Sequence, residues 1–505
     1  MVFSSIEFIY FFLVPTLLVF FILRYLALEK AIIWWLIIAS LLFYAWWSVY
    51  YLILLISSVI VNFSIHKLIL KKQSRLFLTI GTVINLATLA YFKYADFLIA
   101  NFNTILGVEV PLLHVILPLA ISFFTFQQIS FLFDTYHQRI RACSFARYCL
   151  FVVFFPQLIA GPIVLQKHTI PQFTLTVFRK PLFMNLAIGS TLFAIGLFKK
   201  IVLADSMAPF ANDVFNLANL GHSVPAEAAW LGVFAYTFQI YFDFSGYCDM
   251  ALGLARMFSI TLPINFNSPY QAKNIVDFWR RWHMTLSAFL RDYLYIPLGG
   301  SRYGKVRQYM ALMLTMLLGG LWHGASWTFV FWGFLHGLYL AVNHGWSTLT
   351  KNTLFSEYIP APVIQFTSHL ITLLAVIFAW VFFRAENFSD ALLIITGMLG
   401  QTQFYNAGVW AGVVNDTAML WLKIIGLAFT VLILPNSIEL TRHYRPVLKV
   451  KSILAKTTGI SGVVKSYLLW RPSMSWSMVI GVMASISLFF LYQANNITEF
   501  IYFNF

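Results

Sequence analysis

One histidine, His323, and a stripe of arginines are the residues of this 505-residue chain best suited to chemistry, with His283 and His336 weaker candidates. His323 lies within Tyr309 to Val342, a run of 34 residues without a charge. A neutral imidazole at that depth can take a proton from a hydroxyl, since charging the ring is costly in hydrocarbon and the neutral ring is a base. It can equally be a buried ring bonded to neighbouring backbone. The same two readings hold for His336, where a structural role is the expectation. His344, eight residues further on, is expected at the membrane interface.

His283 belongs to a different pattern, Asn274 to Tyr295. At about 100° per residue, Asp277, Arg280, Arg281, Ser287, Arg291 and Asp292 share one side, while Phe278, Trp279, Trp282, Leu286, Phe289 and Tyr293 share the other. This predicts an interfacial helix whose arginines can grip phosphate in a bidentate fork and whose aromatic face anchors it, with His283 on the flank of the apolar side. Asp243 and Asp249 close an apolar span in Tyr241-Phe-Asp-Phe-Ser-Gly-Tyr-Cys-Asp249. They could belong to an ion pathway; the expectation is that they pair with the interfacial arginines or cap a helix start.

The elements that must position these residues are membrane helices. The chain is 60% hydrophobic and 10% charged, with a mean hydropathy of +0.79, which excludes an ordinary soluble protein. Apolar segments near 8–27, 31–48, 50–65, 76–92, 111–133, 148–165, 182–198, 228–245, 309–342, 365–383, 418–434 and 476–492 predict an all-α, polytopic membrane protein. About ten to twelve crossings fit, with added interfacial or re-entrant helices. Continuous apolar runs exclude a membrane β-barrel. The first run lacks a basic region and a cleavage site, so it is expected to remain as a spanning helix.

One segment cannot be a plain crossing. As a straight helix, residues 309–342 would extend about 51 Å against roughly 30 Å of hydrocarbon, so the run must bend, tilt or divide. Gly319, Gly320, Gly324 and Ser326 are where a break is easiest, and Gly333 with Gly337 permits close approach of a neighbouring helix.

The 33 Lys and Arg against 18 Asp and Glu give a formal charge of +15. Lys67 to Arg75, Arg139 to Arg147, Lys199 with Lys200, Lys273 to Arg307 and Arg442 to Lys456 are assigned to the cytoplasm. Residues 205–227 and 401–417, which hold Asp205, Asp213, Glu227 and Asp416, are placed on the far side. Anionic lipid headgroups account for most of the basic excess, and the short scattered clusters argue against nucleic acid. Cys143, Cys149 and Cys248 show neither zinc nor disulfide spacing, so no metal site is expected. There is no Walker loop, dinucleotide fingerprint, zinc-protease helix or nucleophile elbow.

Several segments together carry a resemblance. Asp277-Phe-Trp-Arg-Arg-Trp-His-Met-Thr-Leu-Ser287 with Phe289 to Gly300, and Gly320-Leu-Trp-His-Gly-Ala-Ser-Trp327, resemble the signatures of the membrane-bound O-acyltransferase family. Leu117 to Gln127, Phe155 to Pro162, Tyr241 to Gly246 and Asn265-Phe-Asn-Ser-Pro-Tyr270 follow in the order of its bacterial branch, which includes alginate and peptidoglycan O-acetyltransferase membrane subunits. The resemblance implies a catalytic core over 111–400 around a central tunnel, between N-terminal helices (1–110) and C-terminal helices (401–505).

By this resemblance His323 corresponds to the family's catalytic histidine and His283 to the second histidine of the bacterial branch. Arg280, Arg281 and Arg291 match a basic helix at the cytoplasmic entrance, and Trp279, Trp282 and Asp243 join them as candidate substrate- or donor-binding residues. The implied reaction is acetyl transfer from a thioester, acetyl-CoA, with no bound cofactor. The implied acceptor is a hydroxyl of an extracytoplasmic polysaccharide, reached through an extracytoplasmic acetyl-transferring partner protein, in a multi-pass protein of the bacterial inner membrane. A secondary transporter or a non-catalytic scaffold subunit would share the helical plan. A second copy of the Trp279 to Gly300 pattern, which a transporter built from repeats would show, is absent from the sequence.

Overall fold

The computed structural model describes residues 2–140, 143–159, 161–350, 360–401, 417–448, 468–493 and 500–501. The principal helices are α1 (Glu7–Tyr25), α2 (Glu29–Ala45), α3 (Val49–Lys72), α4 (Arg75–Leu106), α5 (Ile121–Tyr136), α6 (Phe145–Val153), α7 (Leu182–Ala204) and α8 (Ala226–Met257). They continue with α9 (Ile275–Trp279), α10 (Met284–Leu290), α11 (Lys305–His323), α12 (Trp327–Thr350), α13 (Ala361–Arg384), α14 (Thr417–Ile433) and α15 (Met474–Gln493). No strand occurs among the described residues, and α1, α3, α4, α7, α13 and α15 are the six long and apolar enough to cross a membrane by length and composition. Arg141, Asp416 and Lys449 to Lys456, counted in the predicted loops, lie outside the described residues.

Local sequence sets the helix ends. Ser48 and Asn274 accept backbone N–H bonds from Tyr51 (3.4 Å) and Asp277 (2.9 Å), satisfying donors that the first turns of α3 and α9 leave orphaned. Helix α3 stops where Gln73 enters the left-handed region at φ 48°.

Helix α8 forms the axis of the bundle and is buried along almost its whole length. Its partner α7 meets it backbone to backbone: a Cβ on Gly196 would sit 2.5 Å from the Gly246 carbonyl oxygen. Lys199 and Lys200 follow in a π-helical stretch, Lys199–Ala204, and both reach acids on α8. Lys199 Nζ lies 2.6 Å from Asp249 Oδ2, and Lys200 Nζ lies 2.7 Å from Asp243 Oδ1 and 2.9 Å from Asp205 Oδ1. This corrects the expected pairing of Asp243 and Asp249 with interfacial arginines. It also moves Lys199 and Lys200 from a loop to a largely buried ionic cluster.

Two expected spans are interrupted. Residues 108–118 are not helical, and α5 begins only at Ile121, because Pro111 and Pro118 remove backbone donors and hold their predecessors extended. Tyr51 and Tyr44 donate their phenolic O–H groups to the Ile116 and Leu119 carbonyls at 2.9 and 3.0 Å, fixing this segment. The span expected at 148–165 breaks at Phe154, whose ψ of 108° turns the chain just before Phe155-Pro156.

The long uncharged run divides as expected. Helix α11 ends at His323, Gly324 is extended, and α12 folds back against α11. Gly320 remains helical and serves the close approach instead: a Cβ there would meet the Phe329 carbonyl oxygen at 2.2 Å. Gly333 and Gly337 likewise face Met316 and Met313 of α11, so the neighbour they admit is the other arm of the same hairpin.

Candidate active site

The interfacial segment is not one helix. The chain turns between α9 and α10, where His283 adopts φ 42°, ψ 51°, and a π-helical turn, Arg291–Tyr295, follows α10. A single residue upstream causes the turn. The backbone carbonyl of Asn265 accepts the Met284 N–H at 2.9 Å, while its side-chain Oδ1 accepts from the Thr285 N–H at 3.2 Å and the Thr285 hydroxyl at 2.9 Å. His283 Nδ1 lies 3.1 Å from that same Oδ1 and donates to it. In the neutral ring this assigns the proton to Nδ1 and the lone pair to Nε2.

The kink carries His283 from the flank of an amphipathic helix into the core, where it is fully buried. Its ring lies 6.4 Å from that of His323, centroid to centroid, with Trp322 6.0 Å and Phe244 4.8 Å away. His323, 3% exposed, is further walled by Trp332 and Phe383, each at 5.1 Å. The structure therefore brings together the two histidines that the sequence singled out, behind aromatic walls that keep water away.

Trp282 is not on an outer face, as the anchoring role required, and Trp279 is only partly exposed. Trp282 is buried against Trp380 (4.9 Å) and Phe266 (5.0 Å). Trp279 packs on His336 at 5.2 Å, and His336 on Trp332 at 4.6 Å, so a line of rings leads from Trp279 through His336 and Trp332 to His323. His336 is thus a packing element of that line rather than a member of the histidine pair.

Arg280, the residue after Trp279 in the chain, lines a polar cavity of about 520 Å³ together with Lys273, Asp277, Arg281, Asn343, His344 and Ser347. Arg281 is held in place, with Nε donating to Asp277 Oδ1 at 2.9 Å and Nη1 to the Asn267 carbonyl at 3.3 Å. Arg280 is exposed and makes no ion pair among the described residues. Arg291 is not brought to this cavity. It is exposed and paired with Asp292 at 2.7 Å, a hydrogen bond that raises its guanidinium above the usual value.

Asp243 sits one residue before Phe244, which contacts His283. Besides Lys200, its carboxylate accepts the Ile501 backbone N–H at 2.9 Å, and Phe500 stacks on Tyr247 at 4.7 Å and packs on Phe244 at 5.5 Å. The acid therefore anchors chain next to the histidines. No cluster of three potential metal ligands occurs among the described residues, and the three cysteines are free thiols.

Asn265 was visible in the sequence only as part of a motif, without a role. Lys273 was read only as the start of a basic loop, and Asn343 and Ser347 were outside any pattern, because they lie more than sixty positions from the arginines they join at the cavity.

With this geometry in hand, known proteins are informative. The model of the membrane-bound O-acyltransferase family matches residues 138–384, which contain both histidines and the Arg280 cavity. The chain is 45% identical over 372 residues to a peptidoglycan O-acetyltransferase of Helicobacter pylori, covering 68% of this chain and 69% of that protein. A probable alginate O-acetylase AlgI of Pseudomonas putida is 36% identical over 443 residues, covering 86% and 85% of the two chains. A teichoic acid D-alanyltransferase of Streptococcus thermophilus is 27% identical over 298 residues, 57% of this chain and 70% of the other.

Proposed function

This chain belongs to the membrane-bound O-acyltransferase family, and from that premise we propose that it moves an acetyl group from a cytoplasmic thioester, acetyl-CoA, to a hydroxyl acceptor beyond the membrane. The observation that carries the proposal is the pair of buried rings, His283 and His323, 6.4 Å apart.

The roles follow from charge and reach. The cavity's Lys273, Arg280 and Arg281 suit the phosphates of the donor, whose acyl arm can follow the line of rings inward. His323 takes the proton of the acceptor hydroxyl as its oxygen attacks the thioester carbon. A tetrahedral oxyanion forms, the C–S bond breaks, and the thiolate leaves to be protonated. A thioester is already activated, so catalysis consists mainly of holding the two partners in line and removing one proton, a base contribution of roughly 10²- to 10⁴-fold. His283, whose Nδ1 proton is held by Asn265, can accept through Nε2 a hydrogen bond from a second hydroxyl of the acceptor, leaving the reacting O–H directed at His323.

The acceptor class proposed is an extracytoplasmic polysaccharide, since the relatives are named for peptidoglycan and alginate O-acetylation. Delivery through an extracytoplasmic protein partner, and residence in the bacterial inner membrane, complete the reading. Comparing the O-acetyl content of wall and capsule polymers between wild type and a deletion strain by mass spectrometry tests it. Loss of ester acetate from one polymer, restored by the intact gene, is expected; unchanged acetate on every polymer would overturn the reading.

A further inference from the structure

Helix α11 ends abruptly at the residue that matters most. Gly324 is extended (φ −165°, ψ 154°), so the carbonyls of the last turn of α11 have no donors from a continuing helix. In hydrocarbon there is no water to satisfy them. The donors come from α4 instead. Tyr94 donates its phenolic O–H to the Leu321 carbonyl at 2.9 Å, and Lys93 Nζ donates to the Trp322 carbonyl at 2.5 Å and the His323 carbonyl at 3.2 Å.

Lys93 is out of place by composition. It lies 18 residues into α4, about 27 Å along the axis, in a helix apolar enough to span the membrane. A lysine there is costly unless something compensates the charge, and the carbonyl end of a helix does so, because the aligned peptide dipoles leave it partially negative. The ammonium also lies 5.8 Å from the centroid of the Trp322 ring. Two turns further along α4, Asn101 Oδ1 accepts the indole N–H of Trp327, the first residue of α12, at 2.8 Å. Helix α4 therefore holds both lips of the break.

We propose that Lys93, supported by Tyr94, is a positioning residue of the reaction: it caps the severed end of α11 and thereby sets the orientation of the His323 ring. It bonds the backbone of His323, not the imidazole, so it acts through that residue and takes no part in the proton transfer. This rests on the reading of His323 as the base.

Three full-length variants in detergent micelles test the idea: Lys93→Met, which keeps the length and removes the donors, Lys93→Arg, which restores a cation with donors, and Tyr94→Phe. The first readout is amide hydrogen exchange by mass spectrometry. Lys93→Met should accelerate exchange about tenfold or more in the peptide spanning the break and leave α7 and α8 peptides unchanged; Tyr94→Phe should do the same more weakly, and Lys93→Arg should restore protection. The second is thiol release from acetyl-CoA, where Lys93→Met should lower kcat by about 10- to 100-fold with KM unchanged, as for a misplaced catalytic group. Unchanged exchange at the break in Lys93→Met, or exchange raised throughout the molecule, overturns the positioning role. Absence of thiol release from the wild-type chain counts against the donor reading alone, and the exchange data then decide the role of Lys93.

Discussion

His283 Nδ1 donates to Asn265 Oδ1 across 3.1 Å, and the same oxygen accepts both the N–H and the hydroxyl of Thr285. With its backbone carbonyl on the Met284 N–H and its side chain on Thr285, Asn265 thus holds the bend of the interfacial segment, and its side chain fixes the tautomer of a buried histidine. An oxygen that accepts three bonds is poorly replaced by any other group, and the comparable outer partners of metal-bound histidines matter by about 10- to 100-fold.

Asn265→Ala should accordingly lower kcat for acetyl-CoA thiol release by about 10- to 100-fold. The amount of folded protein recovered from membranes should fall much less. Equal kcat per folded molecule in variant and wild type would remove Asn265 from the account.

The cavity predicts a contrast between two arginines that the sequence placed on one stripe. Arg280→Ala should raise KM for acetyl-CoA about tenfold, the order expected for losing one charge-assisted bond of about 1.5 kcal/mol. Arg291→Ala, whose partner is Asp292, should leave KM within about twofold, since exposed ion pairs contribute only about 0–1 kcal/mol. Steady-state kinetics over a range of acetyl-CoA concentrations separates the two.

The α11–α12 hairpin predicts a contrast between adjacent glycines. A Cβ at Gly320 meets backbone, the Phe329 carbonyl oxygen at 2.2 Å, whereas at Gly319 the nearest atom is the movable Leu290 Cδ1 at 3.2 Å. Gly320→Ala should therefore destabilise by about 1–3 kcal/mol, seen as a lowered midpoint in a thermal shift assay, and Gly319→Ala should change it far less.

The buried ionic cluster predicts non-additivity. Lys200→Met leaves the Asp243 and Asp205 carboxylates without their shared cation, and removing one member of a buried pair costs about 3–5 kcal/mol. Adding Asp243→Asn to Lys200→Met should recover part of the lost thermal stability. A double variant no better than Lys200→Met would show that the pair is not coupled.

Much of this was legible in the sequence, and the failures have a common cause. The all-helical membrane class and the break beside His323 follow from composition, length and glycine placement, which are local properties, whereas His283 stood out only through the family resemblance. A helical wheel over 274–295 assumed a continuous helix, and it could not foresee that Asn265, 18 residues upstream of His283, would capture the backbone and turn the ring inward. Asp243 and Asp249 were matched to arginines nearby in sequence, whereas the π-helical turn at Lys199–Ala204 presents two consecutive lysines to α8. Lys93 carried a readable signal, a lone cation within an apolar span, but the predicted span of 76–92 stopped one residue short of it.

The most direct test of the account is replacement of His323 by alanine in a chain shown to be inserted at wild-type abundance. Thiol release from acetyl-CoA and ester acetate on the cell's surface polysaccharide are then measured together. The account predicts that both fall by roughly 10²- to 10⁴-fold, the contribution of a positioned base. Wild-type rates in that variant would contradict it.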